Sequence, residues 1–157
     1  MPPFRKYGWA FAASVLLASA CGDDSSSSAA DAMPDCTEDP RGQSYSPGMT
    51  VAADDGIQVA LIEARPAPPV RFENVWDLEV RDAAGVPVSV TSLAVVPFMP
   101  DHGHGTPQPP LPEAGVETGT FSMGPFDLWM PGIWELRFSV DREGTISLAT
   151  MTFCLEE

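Results

Sequence analysis

The chain is poor in lysine, in histidine and in long apolar runs. Lys6 is its only lysine, and eight Lys and Arg residues stand against 22 Asp and Glu residues, which gives a net charge of −14. Such an acidic surface repels the phosphates of nucleic acids, so the composition argues against a nucleic-acid-binding protein. The uncharged run of residues 7–20 is shorter than the roughly 20 residues of a membrane-spanning helix.

The first twenty residues have the pattern of an export signal. Arg5 and Lys6 form a positive start, and the uncharged run that follows ends in small residues. Ala18-Ser19-Ala20 fits a signal-peptidase site, whereas Leu17-Ala18-Ser19-Ala20-Cys21 resembles a bacterial lipobox in which Cys21 carries lipid. We expect a lipid-anchored protein of the cell envelope, on its periplasmic or outer-membrane face.

The number of cysteines favours lipidation of Cys21. If Cys21 carries lipid, the two remaining cysteines, Cys36 and Cys154, can pair in an oxidising compartment. The alternative, two thiolates binding metal, requires both to lie beside the histidines. Residues 1–20 are therefore interpreted as the signal peptide, 21–36 as a flexible tether that is small, polar and acidic, and 37–157 as one domain.

Alternating apolar residues predict an all-β domain with no helix. Strands are expected around residues 57–61, 76–80, 86–91, 92–98, 118–123, 134–140 and 146–154. About seven short strands with a terminal disulfide favour an immunoglobulin-like β-sandwich. Trp76 and Trp134 are expected in the core. Cys154 shares its parity with Ile146 and Leu148, which predicts that all three point inward.

Both histidines of the chain lie in one short segment, Met99-Pro100-Asp101-His102-Gly103-His104-Gly105. A second Met-Pro pair opens the segment Met130-Pro131-Gly132-Ile133-Trp134-Glu135-Leu136. Each pair stands at the end of a predicted strand. Because strand ends cluster at two poles of a sandwich, the two loops can meet.

Imidazole nitrogen binds both oxidation states of copper, and thioether sulfur favours Cu(I). His102 and His104 are the first candidate ligands, followed by Met99 and Met130, while Asp101 can orient an imidazole. The alternative is an exposed polar turn with both methionines filling the core. Met123 is interpreted as a core residue, and Trp129 either packs or shields a copper site.

The two Met-Pro segments resemble the YtkA-like domain family, which is related to FixH-like proteins associated with copper delivery. The resemblance covers roughly residues 50–155 and implies an exported immunoglobulin-like domain that handles copper. The segment Gly124–Trp129 departs from the family pattern as an insertion-like stretch before Met130.

The sequence therefore predicts a copper-binding module, with Cu(I) or Cu(II) as the bound metal, that passes copper to an envelope partner protein. The alternative is a metal-free immunoglobulin-like interaction module of an envelope complex. An enzyme is not favoured, because both histidines lie in one loop and no nucleophile motif accompanies them.

Overall fold

The structure of the protein, a computed structural model, describes residues 35–156. The predicted signal peptide, the lipidation site Cys21 and nearly all of the tether lie outside the described residues. Within residues 35–156 there is no helix, and hence no helix long and apolar enough to cross a membrane. The strands are β1 Met49–Ala52, β2 Gln58–Arg65, β3 Phe72–Arg81, β4 Ser92–Met99, β5 His104–Gly105, β6 Glu113–Ala114, β7 Thr120–Leu128, β8 Gly132–Arg142 and β9 Thr145–Leu155.

The strands form two sheets whose neighbours are all antiparallel. One sheet has the order β1-β2-β3-β7-β6 and the other the order β5-β4-β8-β9. The order β2-β3-β7-β6 facing β5-β4-β8-β9 matches the A-B-E-D and C′-C-F-G sheets of an immunoglobulin-like sandwich, with β1 added at one edge. The predicted all-β sandwich is confirmed, with nine strands because β1, β5 and β6 are too short to show a sequence pattern.

The core lies between the inward rows of β3 and β8. These rows alternate as predicted and are at most 1% exposed: Trp76, Leu78, Val80, Trp134, Leu136, Phe138 and Val140. The ring of Trp76 meets Phe126 and Phe153 edge to face, with centroids 5.4 Å and 5.6 Å apart. Residues Ala32–Glu157 form one compact unit that contains both sheets and this core, so the unit can be produced by itself.

The prediction that Ile146, Leu148 and Cys154 point inward from β9 is wrong. Ile146 is 56% exposed, Leu148 is 66% exposed, and Cys154 is only half-buried. The cause is the tight β8–β9 turn, in which Glu143 and Gly144 both have positive φ and Arg142 pairs with Thr145. This register sets the inward residues of β8 opposite another set on β9: Ser147, Ala149, Met151 and Phe153. Directly paired residues share a face, so Cys154 points outward.

The predicted strand over residues 86–91 is not formed. Only one isolated bridge, between Arg81 and Pro87, occurs there, because proline has no N–H to donate to a ladder. Val88 and Val90 still pack against the core as a loop.

The strand predicted over residues 118–123 is longer than expected. It continues as β7 to Leu128, so most of the insertion-like stretch Gly124–Trp129 is strand. A register shift against β3, between Asn74 and Trp76, accommodates Gly124 at φ 127°. A Cβ at Gly124 would stand 2.6 Å from the Asn74 carbonyl oxygen, so only glycine fits at this position.

The predicted disulfide between Cys36 and Cys154 is present, with 5.5 Å between the two Cα atoms and 118 residues of sequence separation. It joins the segment before β1 to the outer face of β9. Cys36 is buried. The bond therefore covalently fixes the start of the domain to its last strand.

We expect Cys36→Ser/Cys154→Ser to lower the free energy of unfolding by about 4 kcal/mol, because the bond closes a long loop in the unfolded chain. Urea unfolding of residues 32–157, followed by tryptophan fluorescence, measures the loss. Thr152→Ser, a change beside the disulfide that leaves it intact, is the control. A loss below about 1 kcal/mol would show that the disulfide does not stabilise the fold by constraining the unfolded chain.

Candidate metal centre

The segment with both histidines forms the tight turn between β4 and β5. The carbonyl oxygen of Met99 accepts hydrogen bonds from the backbone N–H groups of His102 at 3.2 Å and Gly103 at 2.9 Å. Gly103 has φ 70°, a value that favours glycine. The turn brings His104 back alongside β4, directly opposite Met99.

Gly105 is required by the close approach of β5 to β4. A Cβ at this position would stand 2.4 Å from the carbonyl oxygen of Pro97. A side chain here would push β5 away from β4 and move His104 with it. Gly103 thus allows the backbone conformation of the turn, and Gly105 allows the close pairing of β5 with β4.

The two Met-Pro loops meet at this end of the sandwich. The ring of His104 stacks on the indole of Trp129, with centroids 5.5 Å apart and planes 15° apart. Below this stack, a Cβ on Gly132 would lie 3.1 Å from Cε of Met99. Because His104 pairs with the inward-facing Met99, its ring lies at the rim of the sandwich, where Trp129 covers it.

His102 and His104 lie close enough to bind one metal ion. Their ring centroids are 5.7 Å apart, and two imidazoles on one metal at about 2 Å per nitrogen have centroids at most about 6 Å apart. Nδ1 of His104 lies 3.3 Å from the carbonyl oxygen of Gly105. A ring that donates Nδ1–H to a carbonyl keeps Nε2 free for a metal. The separation of the two rings is therefore compatible with one shared metal ion.

The methionines lie in different surroundings. Met99 and Met123 are fully buried in the core, so neither thioether faces solvent. Met130 is half-buried and follows Trp129 in the chain, and its carbonyl oxygen accepts a hydrogen bond from Trp134 Nε1 at 2.8 Å. Of the two methionines predicted as ligands, Met130 is the accessible one.

Asp101 is engaged by Arg41. Nη1 and Nη2 of Arg41 each donate to one Asp101 oxygen at 2.8 Å, and the same guanidinium binds Asp39 through Nε and Nη2. These hydrogen bonds hold the pKa of Asp101 below its ordinary value and lower the pKa of Asp39 to about 2. Asp101 thus ties the histidine turn to the segment that follows Cys36.

No group of three or more His, Cys, Asp and Glu side chains suited to a metal ion occurs in residues 35–156. A carboxylate-rich site of the kind that hard cations prefer is therefore not formed in this part of the chain. Two imidazoles without a carboxylate belong to the donor set that borderline metals prefer.

Two contacts of the site could not be assigned from the sequence. The sequence places Trp129 next to Met130 and hence near the second loop. No sequence pattern indicates that its indole stacks on His104. Arg41 lies 60 residues from Asp101 in the chain and follows no motif. Only the folded arrangement shows that it holds the turn.

Arg41→Gln should raise the pKa values of Asp39 and Asp101 toward 3.8, the ordinary value of the aspartate side chain. A carboxyl group with a lowered pKa stabilises the fold above its unfolded pKa and loses that effect as pH falls through its folded pKa. The wild type should therefore lose this contribution between about pH 4 and pH 2, and the variant should not. NMR titration of the two carboxyl groups measures the change. Arg65→Gln, which removes exposed ion pairs elsewhere on the surface, serves as the control. Unchanged pKa values of Asp39 and Asp101 in Arg41→Gln would contradict the role given to Arg41.

We compared the chain with known protein families, with curated proteins and with solved structures, and no match was found in any of the three.

Proposed function

We propose that this protein is a membrane-tethered, exported module that binds copper at the cell envelope and passes it to a partner protein by ligand exchange. The observation that carries the proposal is the imidazole pair, whose centroids are 5.7 Å apart in a turn held by Met99 and Arg41. The lipid anchor at Cys21 and the relationship to YtkA-like domains are parts of the proposal that rest on the sequence.

His102 and His104 are the proposed metal ligands. Both lie at the surface end of the sandwich, and the turn that bears them is fixed by backbone hydrogen bonds on one side and by the Arg41–Asp101 pair on the other. A turn held in place loses little conformational freedom when it binds a metal. His102 is exposed, so a partner can approach it without unfolding the domain.

Met130 is the proposed third ligand for Cu(I). Met130 follows Trp129 in the chain and packs partly buried against the core, whereas Met99 is fully buried, and thioether sulfur prefers Cu(I) over Cu(II). Met99 is assigned to the core, because its side chain is fully buried and packs near Gly132. Trp129 covers one face of His104 and excludes water from that side of the ring. The site would thus hold Cu(I) with three protein ligands and Cu(II) with two.

Copper titration of residues 32–157 tests the proposal, with Cu(I) measured against a competing chelator and Cu(II) by absorption spectroscopy. We expect one copper ion per chain. His102→Ala/His104→Ala should weaken binding by more than the roughly 10–100-fold that accompanies loss of a partner supporting a metal ligand. Met130→Leu should weaken Cu(I) and leave Cu(II) unchanged. Copper binding that the double substitution leaves unchanged would overturn the assignment of the two histidines as ligands. Copper binding no stronger than that of a generic acidic surface would leave the metal-free interaction module.

The fluorescence of Trp129 reports independently where the copper ion binds. Copper bound at His104 should quench its fluorescence, because the indole and imidazole are stacked. Trp129→Phe removes this signal but keeps both ligands, so chelator competition should still report one bound ion. Trp76 and Trp134 are fully buried and provide the residual emission. Because Trp134 also contacts the second loop through Met130, weak residual quenching is expected in Trp129→Phe, and quenching as strong as in the wild type would contradict copper binding at His104.

Copper affinity should fall as pH is lowered from 8 to 5, because protons compete with the metal for imidazole nitrogen in this range. The same chelator competition at several pH values measures the slope. The His102→Ala/His104→Ala variant should show a flatter dependence for any residual binding. An affinity that stays constant from pH 8 to pH 5 in the wild type would rule out the histidines as ligands.

A further inference from the structure

A groove of about 840 Å³ lies between the segment after Cys36, the loop that leads into β3 and the last residues of β9. Its volume is within the range of small-molecule sites. None of the proposed copper ligands lines the groove, and among the described residues its one hydrogen bond to the metal site is from Arg71 to the backbone carbonyl of Trp129. Its walls carry Tyr45, Pro69, Val70, Arg71, Phe72 and Leu155.

One wall presents apolar surface to solvent. Phe72 is 58% exposed and Val70 is 39% exposed. Phe72 has φ 69°, in the left-handed region that bulky residues seldom adopt. Such a conformation persists only where its surroundings impose it, and it is frequent at binding sites.

Asn74 imposes this conformation. Its side chain is fully buried, accepts a hydrogen bond from the Val70 N–H at 3.2 Å, and donates to the carbonyl oxygens of Val70 and Phe72 at 2.8 Å each. A buried amide that bonds the loop at three points fixes its shape before any ligand arrives. The backbone that bears the exposed ring of Phe72 is therefore preorganised.

Arg71 adds a positive charge that no carboxylate of the described residues neutralises. Its guanidinium lies 4.9 Å from the centroid of the Phe72 ring. Its one hydrogen bond in this part of the chain runs from Nη2 to the Trp129 carbonyl oxygen at 3.3 Å, and its Nε is buried without a partner. Other arginines form ion pairs with Asp or Glu: Arg41, Arg65, Arg81 and Arg137. Within residues 35–156, four of the five N–H donors of Arg71 thus have no acceptor.

The groove contains one acidic side chain, Glu156, at the exposed end of the described chain. Its charge opposes an anion in the groove, whereas Arg71 attracts one. Because Glu156 follows the last residue of β9, no strand pairing holds it, in contrast to the fixed Arg71 loop. In a chain this acidic, an arginine that pairs with no carboxylate of residues 35–156 and lies beside an exposed aromatic ring is suited to an anion with an apolar body.

We propose that this groove binds a small organic anion, whose negative group pairs with Arg71 and whose aromatic or apolar body lies against Phe72 and Val70. The guanidinium, which has no carboxylate partner among the described residues, supplies the charge, and the loop held by Asn74 supplies the shape. This binding does not depend on copper, so the two proposals can fail separately.

Two fluorescent probes with a similar aromatic body test the proposal. Anilinonaphthalene sulfonate carries a negative group, and N-phenylnaphthylamine carries none. On residues 32–157 we expect the sulfonate to bind about tenfold more tightly, the size of a charge-assisted hydrogen bond. Arg71→Gln should remove this preference. Phe72→Asn, which tolerates the left-handed backbone, should weaken both probes.

Control variants distinguish specific binding in the groove from general attraction of the sulfonate to positive charge. Arg142→Gln is the control for Arg71→Gln, because Arg142 also has a buried, unpartnered Nε and forms no ion pair in the described residues, but lies at the β8–β9 turn. Glu156→Gln should tighten the sulfonate and leave the neutral probe unchanged. Circular dichroism and thermal unfolding verify that each variant is folded. Equal affinity for the two probes, or equal effects of Arg71→Gln and Arg142→Gln, would overturn the proposal.

Discussion

The fold depends on the pairing of β8 with both of its neighbours. β8 lies between β4 and β9, and its row of buried side chains forms one half of the core. A one-residue slip in either pairing would turn a whole row toward solvent, so burial of that row fixes both registers. Because the register with β9 is fixed, Cys154 faces outward to meet Cys36. Because the register with β4 is fixed, Phe98 lies opposite Glu135, and Met99 follows it at the end of the strand.

The histidine turn is a consequence of these registers. Met99 closes β4 as a core residue and its carbonyl oxygen begins the turn, so the strand end determines where His102 and His104 lie. The chain crosses from one sheet to the other through Trp129, which meets His104 at the same end. Arg41 reaches the turn from the segment that the disulfide fixes. The candidate metal centre thus draws on three parts of the chain.

In so acidic a chain, most of the few arginines lie beside carboxylates. Most of them are engaged by carboxylates, and Arg41 binds two at once. Exposed pairs of this kind add little to stability, but a guanidinium with two carboxylates fixes the geometry of the segments that bear them. Arg71 differs, because its contacts in the described residues are an aromatic ring and a backbone carbonyl. Arg142 also lacks an ion pair among the described residues, but it does not line the groove, where Arg71 lies beside the exposed ring of Phe72.

The sequence by itself determined the strand alternation of β3 and β8, the disulfide pairing and the segment that holds both histidines. Alternation and cysteine parity are local or counting signals, and they need no knowledge of contacts. Tertiary structure decided the face of β9, the loop at residues 86–91, the stacking of Trp129 on His104 and the reach of Arg41 to Asp101. The face of β9 was misassigned because Ile146 and Leu148 are apolar yet exposed, and only the turn at Glu143 and Gly144 sets which residues oppose the core row of β8. Contacts between distant segments follow from how the sheets pack, which no single segment encodes.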